Sequence, residues 1–121
     1  MKVAITANGQ KMDSSVDLRF GRAKCLILVD TATDQYEAMD NSQNLNAAQG
    51  AGIQAGQNVV NMGAEAVITG NVGPKAFRVL QTAGINTYLC RSATTVAEAV
   101  EQLKAGDLKQ VDQANVEGHW V

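Results

Sequence analysis

The sequence predicts an α/β domain built on a mixed sheet, with elements in the order βββαβαβα. Three observations carry that prediction. Residues 1–40 contain β-rich and continuously apolar runs separated by turn signals. From about residue 49 the apolar positions change to helical spacing. A unit of helix, Gly, short strand, loop and helix then occurs at 49–82 and again at 75–104. Two such units require parallel strands joined by right-handed crossovers, whereas the first forty residues read as an antiparallel meander.

Lys2-Val3-Ala4-Ile5-Thr6 is β-rich and leads to the turn pair Asn8-Gly9. The polar stretch 9–23 shows no clear periodicity. Residues 24–30 (Lys-Cys-Leu-Ile-Leu-Val-Asp) form a near-continuous apolar run, as in a strand buried on both faces. A turn at Thr31–Asp34 leads to a weaker strand near 35–40. The first helix is expected over about Gln49–Met62, with Ile53, Gly56 and Val60 on one face. Gln54, Gln57, Asn58 and Asn61 fall on the other, and Gly63 follows as a terminator.

Ala66–Thr69 is a short apolar strand, and Gly73-Pro74 opens a second helix, since Pro suits the first helical position. Ala76, Phe77, Leu80 and Ala83 give that helix its apolar face, and Gly84 ends it. Ile85–Cys90 reads as the last strand. Thr95-Val96-Ala97-Glu98 is a capping box that starts a third helix, with Val96, Val100 and Leu103 facing the core and Gly106 closing it. The organisation expected is one domain over 1–108 and a loose C-terminal tail over 109–121.

The chain has 121 residues, enough for one ordinary domain. It is 45% hydrophobic but only 4% aromatic, so its core must come from Val, Ile, Leu and Ala. A net charge of −2 without a polybasic run gives no footprint for nucleic acid or a membrane surface. No long apolar stretch reads as a signal peptide or membrane span. Cys25 and Cys90 form no CxxC pair and are expected as reduced thiols in the cytoplasm.

Candidate chemistry concentrates at strand ends, where ligands of open α/β sheets bind. Arg19, Arg22 and Lys24 place three cations within six positions, with Gly21 between them. The rigid donor fork of Arg suits multi-atom anions. Arg91 follows the last strand just before the helix at Thr95, and helix N-termini attract anions. An anion pocket formed by these two segments competes with a plain reading of both as solvated loops.

Gly50-Ala51-Gly52-Ile53-Gln54-Ala55 matches GxGxxA, yet no strand precedes it directly. The acid expected some twenty residues later is also missing, for that spacing falls on Gly70 and Asn71. It reads better as a tight helix start that offers backbone N–H groups. Gly70-Asn71-Val72-Gly73-Pro74 is a similar loop. His119 is the only histidine, which argues against a His-based triad or zinc centre. Cys25 reads as a buried inert thiol; Cys90, at a strand end, is the better candidate for a reactive or ligand thiol, although a plain structural thiol is the favoured reading there too.

In order along residues 1–108, the segments Met1–Ile5, Phe20-Gly21-Arg22-Ala23, Gly50–Ala55, Ile68–Phe77, Ala83-Gly84-Ile85 and Thr95–Val100 resemble the dinitrogenase iron–molybdenum cofactor-binding family. That family includes NifX, the accessory domain of NafY and the C-terminal part of NifB. The resemblance implies a ribonuclease H-like α/β layer with a five-stranded mixed sheet. It also implies non-catalytic binding or carriage of metal–sulfur clusters, with the Phe20-Gly21 loop on the binding face.

Many relatives carry His immediately before Phe-Gly, where this chain has Arg19, and His near the Gly50 region, which here reads Asn46-Ala47-Ala48-Gln49. The Arg substitution is similar to the orange-protein branch, associated with a molybdenum–copper sulfide cluster. The expected cargo is thus an anionic molybdenum–sulfide cluster, mixed with copper, or alternatively an iron–molybdenum–sulfur cluster. It would be held non-covalently by Arg19, Phe20, Gly21, Arg22, Gly50, Gly52, Ile53, Asn71 and Arg91. Two other classes compete. One is a regulatory or scaffold module that binds a partner protein in cofactor delivery or cell division, through the Gln- and Asn-rich helix face. The other is an enzyme acting on a phosphorylated metabolite, for which a general base is missing.

Overall fold

The computed structural model describes residues 1–41, 50–90 and 94–114. The N-terminal run forms β1 (Lys2–Ala7), and the continuous apolar run forms β2 (Cys25–Asp30), with every residue from Cys25 to Val29 buried. Strand β3 (Tyr36–Asp40) follows and is mostly exposed. These three strands are the expected antiparallel meander: Ala4 faces Leu28 across β1/β2, and Leu28 faces Glu37 across β2/β3.

Helix α1 (Ala51–Asn61), strand β4 (Ala66–Thr69), helix α2 (Pro74–Thr82), strand β5 (Asn86–Leu89) and helix α3 (Val96–Lys104) complete the two crossover units. Strands β1, β4 and β5 run parallel, with Ala4 beside Val67 and Val67 beside Thr87. Thr95 caps α3 by accepting from the Glu98 N–H at 3.1 Å, while the Glu98 carboxylate accepts from the Thr95 N–H at 3.1 Å. The Thr95 N–H, and next the Thr95 hydroxyl that donates to the same carboxylate at 3.0 Å, hold the Glu98 carboxyl below its ordinary range.

The sheet differs from the sequence expectation in one respect. It has six strands, in the order β3-β2-β1-β4-β5-β6. The sixth, β6 (Lys109–Val111), begins where a loose tail was expected and pairs antiparallel with β5, Thr87 opposite Val111. Three residues carry too little pattern to read as a strand; the free edge of β5 supplies the partner.

Alternation divides the sheet into two cores. Val3, Ile5, Ile27, Val29 and Ile68 lie on one face with Val96, Ala99 and Val100 of α3. Ala4, Leu26, Leu28 and Val67 lie on the other with Phe20 and residues of α1 and α2. The face of α1 is rotated from its sequence assignment. Ala51, Ala55, Asn58 and Val59 are buried along with Gly56, while Ile53 is exposed and Val60 only half-buried. Small residues won because α1 lies close against α2: a Cβ on Gly56 would stand 2.9 Å from Val79 Cγ1, and one on Gly52 3.1 Å from Ala76 Cβ. Ala83, assigned to the apolar face of α2, is exposed beyond the last turn.

Among the described residues, one buried hydroxyl is unsatisfied. Thr87 is 1% exposed and its Oγ1 has no hydrogen-bond partner. Thr87→Val keeps the branched shape and the strand preference while removing the unpaired group. The expected outcome is a gain of about 1–2 kcal/mol, seen as a higher urea midpoint with an unchanged slope.

Candidate functional site

The C-terminal ends of β1 and β4 are crossed by the polar stretch 9–23, for which the sequence shows no clear periodicity. Two bonds pin its middle: the Asp17 N–H donates to the Thr6 carbonyl at 2.9 Å, and the Thr6 hydroxyl donates to the Asp17 carbonyl at 2.6 Å. Arg19 then forms a parallel bridge to Asn71, beyond the end of β4. The Phe20 N–H donates to the Asn71 carbonyl and the Asn71 side-chain amide donates to the Leu18 carbonyl, both at 3.1 Å. Phe20–Arg22 is one short helical turn, with Phe20 and Gly21 buried.

The contact between these loops depends on Gly70. A Cβ there would lie 2.6 Å from both Cβ and Cδ2 of Leu18 and 2.8 Å from its Cα. Only glycine lets the two backbones approach this closely.

Arg19 is oriented by an acid beneath it. The Asp17 side chain, 6% exposed, accepts from the Arg19 N–H at 2.9 Å and stands 3.6 Å from Arg19 Nε. The Arg19 side chain is 58% exposed. With Nε turned toward the carboxylate, the two terminal nitrogens of the fork remain for a solvent-side anion.

Helices α1 and α2 add their N-termini to this edge. Gly52 lies against Ala76 and Gly56 against Val79, so successive turns meet in the same order and the helices run parallel. Their first turns therefore sit side by side. The N-cap residues are Gly50, in the left-handed conformation at φ 81°, and Gly73, and neither has a side chain with which to cap. No acid occupies either first turn, and Lys75 adds a cation to that of α2. The positive helix ends thus meet more positive charge, in contrast to the acids usually found there.

The third helix behaves differently. The Val96 and Ala97 N–H groups donate to the Ser14 and Met12 carbonyls at 2.9 Å, and the Glu98 N–H is taken by Thr95. The 8–16 loop and the Thr95 side chain thus already use the N–H groups of this helix start.

The structure thus gathers Arg19, Phe20, Gly21, Arg22 and Asn71 in one loop contact, with the Gly50–Ile53 turn on the neighbouring helix. Phe20 is 0% exposed and belongs to the core beneath the loop. Arg22 and Asn71 are half-buried, Gly50 and Ile53 exposed. Arg91 and Asn46–Gln49 lie outside the described residues. Cys90 is buried in the α3-side core, and Cys25 is buried at the start of β2. Burial pushes the Cys25 thiol above its ordinary value, the Asp40 charge adds to this, and Lys24 opposes it.

Lys75 was missed by the sequence reading, although Pro74 had already placed it in a first helical turn. Asn41 and Asn58, buried polar residues behind the loop, gave no sequence signal; Asn58 fell on the helix face opposite Ile53, Gly56 and Val60.

Chemically, this edge offers guanidinium groups, an ammonium and backbone N–H groups. Among the described residues no three His, Cys, Asp or Glu side chains come together to hold a metal ion. The donor set suits an anion bearing its own ligands better than a bare cation.

An α/β layer with a cationic, glycine-lined edge at the ends of its parallel strands has the make-up of a binding domain. The particular family follows from comparison: residues 1–106 match the family described as dinitrogenase iron-molybdenum cofactor, and the chain belongs to it. Among solved structures it is similar to the apo form of the orange protein from Desulfovibrio gigas. That likeness has 40% identity and a TM-score of 0.91, covering 95% of this chain and 96% of the other. It is also similar to a NifB-like protein from Thermotoga, with 34% identity and a TM-score of 0.83 over 97% and 98% of the two chains. An uncharacterised protein of Methanocaldococcus jannaschii is 25% identical, covering 93% of this chain and 92% of its own. Membership places the chain among cofactor-binding domains rather than with a family defined by catalysis. Among the described residues, no helix is long and apolar enough to cross a membrane.

Proposed function

We propose that this edge holds an anionic metal–sulfur cluster as cargo, without catalysing a reaction on it. The observation that carries the reading is the meeting of two parallel, glycine-capped helix starts with Arg19, Arg22 and Lys75, in a chain of a cofactor-binding family. A cluster that brings its own sulfides needs no thiolate or imidazole from the protein. It needs charge neutralisation, N–H donors and apolar contact, and the arginines, the helix starts and exposed Ile53 supply these in turn. Likeness to the orange protein favours a molybdenum–copper sulfide, with an iron–molybdenum–sulfur cluster as the alternative. The thiols of Cys25 and Cys90, neither of them in a disulfide, support a reducing compartment, the cytoplasm, as the place of action.

The test is reconstitution of the anaerobically purified chain with thiomolybdate and copper, followed by gel filtration, metal analysis and visible absorption. Stoichiometric molybdenum with sulfide-to-metal charge-transfer bands is expected. Arg19→Ala and Arg22→Ala should each weaken retention about tenfold or more, since a charge-assisted hydrogen bond contributes about 1.5–3 kcal/mol. Rising ionic strength should weaken retention by the parent chain. Uptake by the double variant equal to that of the parent would refute this placement.

A further inference from the structure

Two amides are buried behind the cationic turn. Asn41 is 0% exposed and Asn58 9%. A buried amide is costly unless bonded, and these form a one-way chain. Gln54 Nε2 donates to Asn58 Oδ1 at 3.2 Å, Asn58 Nδ2 donates to Asn41 Oδ1 at 2.8 Å, and Asn41 Nδ2 donates to the Ala23 carbonyl at 2.9 Å. The Asn41 N–H also donates to the Lys24 carbonyl at 2.7 Å. A carbonyl only accepts, so Ala23 fixes which way the Asn41 amide faces. Asn41 then fixes Asn58, and Asn58 fixes Gln54.

The ends of this chain are informative. Ala23 closes the Phe20–Arg22 turn, and Gln54 is an exposed residue of the first turn of α1. Between them the network crosses from α1 to Asn41, the residue that follows β3. An apolar pair would fill the same space without the desolvation cost of two amides, but it would not fix orientation.

We propose that Asn58 and Asn41 are positioning residues. They set the Arg19–Arg22 turn against the first turn of α1, so that both face one anion at a fixed separation. This rests on the cluster reading above. A site held rigid before its ligand arrives loses less entropy on binding.

The test uses Asn58→Leu, which removes the amide, and Asn58→Asp, which keeps its shape but has no proton for Asn41 Oδ1 at neutral pH. Two measurements are made on the parent and both variants: amide hydrogen exchange without ligand, and retention of a thiomolybdate–copper complex during dialysis. Exchange at the Asn41 and Phe20 N–H groups should quicken about tenfold relative to amides of β1 and β4, from the loss of one buried hydrogen bond. Retention should fall by about the same factor. A merely structural role would instead speed all amides together. Unchanged exchange in both variants would overturn the proposal, as would faster exchange with retention equal to the parent's. If the parent holds no complex, the cargo reading fails on its own account, and the exchange data alone uphold or overturn the network.

Discussion

Phe20→Ala is expected to lower the unfolding free energy by about 3–5 kcal/mol, the largest loss of any single substitution considered. Phe20 is wholly buried and shares a core with Leu26, Val59, Val67 and Leu80. It also carries the N–H that ties the cationic turn to Asn71. Truncation leaves a cavity that neither strand β2 nor helix α1 can close without moving. Domains of this size have only about 5–15 kcal/mol in hand, so the variant should be marginal at 37 °C. Phe20→Leu should fold with a loss nearer about 1–2 kcal/mol. Urea unfolding followed by circular dichroism reads both. A loss below about 1 kcal/mol for the alanine variant would mean that the turn is not anchored in the core as described.

Gly70→Ala should be the most damaging change of a single methyl group. The added Cβ meets Leu18 at 2.6 Å, and the Leu18 Cα at 2.8 Å cannot rotate away. Relief requires the 17–20 segment to lift from Asn71. That breaks the bonds from the Phe20 N–H and the Asn71 side chain. Overpacking of this kind costs about 1–3 kcal/mol, and here the strain falls on the segment that bears Arg19. Cluster retention should therefore drop further than stability does. Leu18→Ala should not rescue the variant, since its Cβ and Cα remain in place. Thermal unfolding and dialysis retention, measured on the single and double variants, check both statements. An alanine variant that retains the complex like the parent would show that the loop contact does not serve the site.

Much of the architecture is legible in the residues, for local reasons. Unbroken apolar runs made β2 and β4 evident, Pro74 marked the start of α2, and the Thr95–Glu98 box marked α3, because each signal acts within one turn or one strand. The repeated crossover unit fixed the parallel half of the sheet through handedness alone. The motif order carried the family resemblance, and the cations around Phe20-Gly21 were plain as charge on a loop.

Other features depended on partners distant in sequence. Strand β6 exists because β5 offers an open edge, not because Lys109–Val111 favours extension by itself. The buried face of α1 followed from how closely α2 approaches, so Ile53 turned outward and Asn58 inward. The start of α3 looks like an anion site in sequence, yet carbonyls of Met12 and Ser14, more than eighty residues earlier, consume its N–H groups. The sequence by itself determined the element order, the mixed sheet and the presence of a cationic glycine-bearing loop, because periodicity, capping and charge are local. Only the tertiary structure decided that Arg19 and Asn71 meet, that two helix starts stand beside them, and that buried amides lock the turn. Those contacts join segments tens of residues apart, and packing distance, not local preference, selects them.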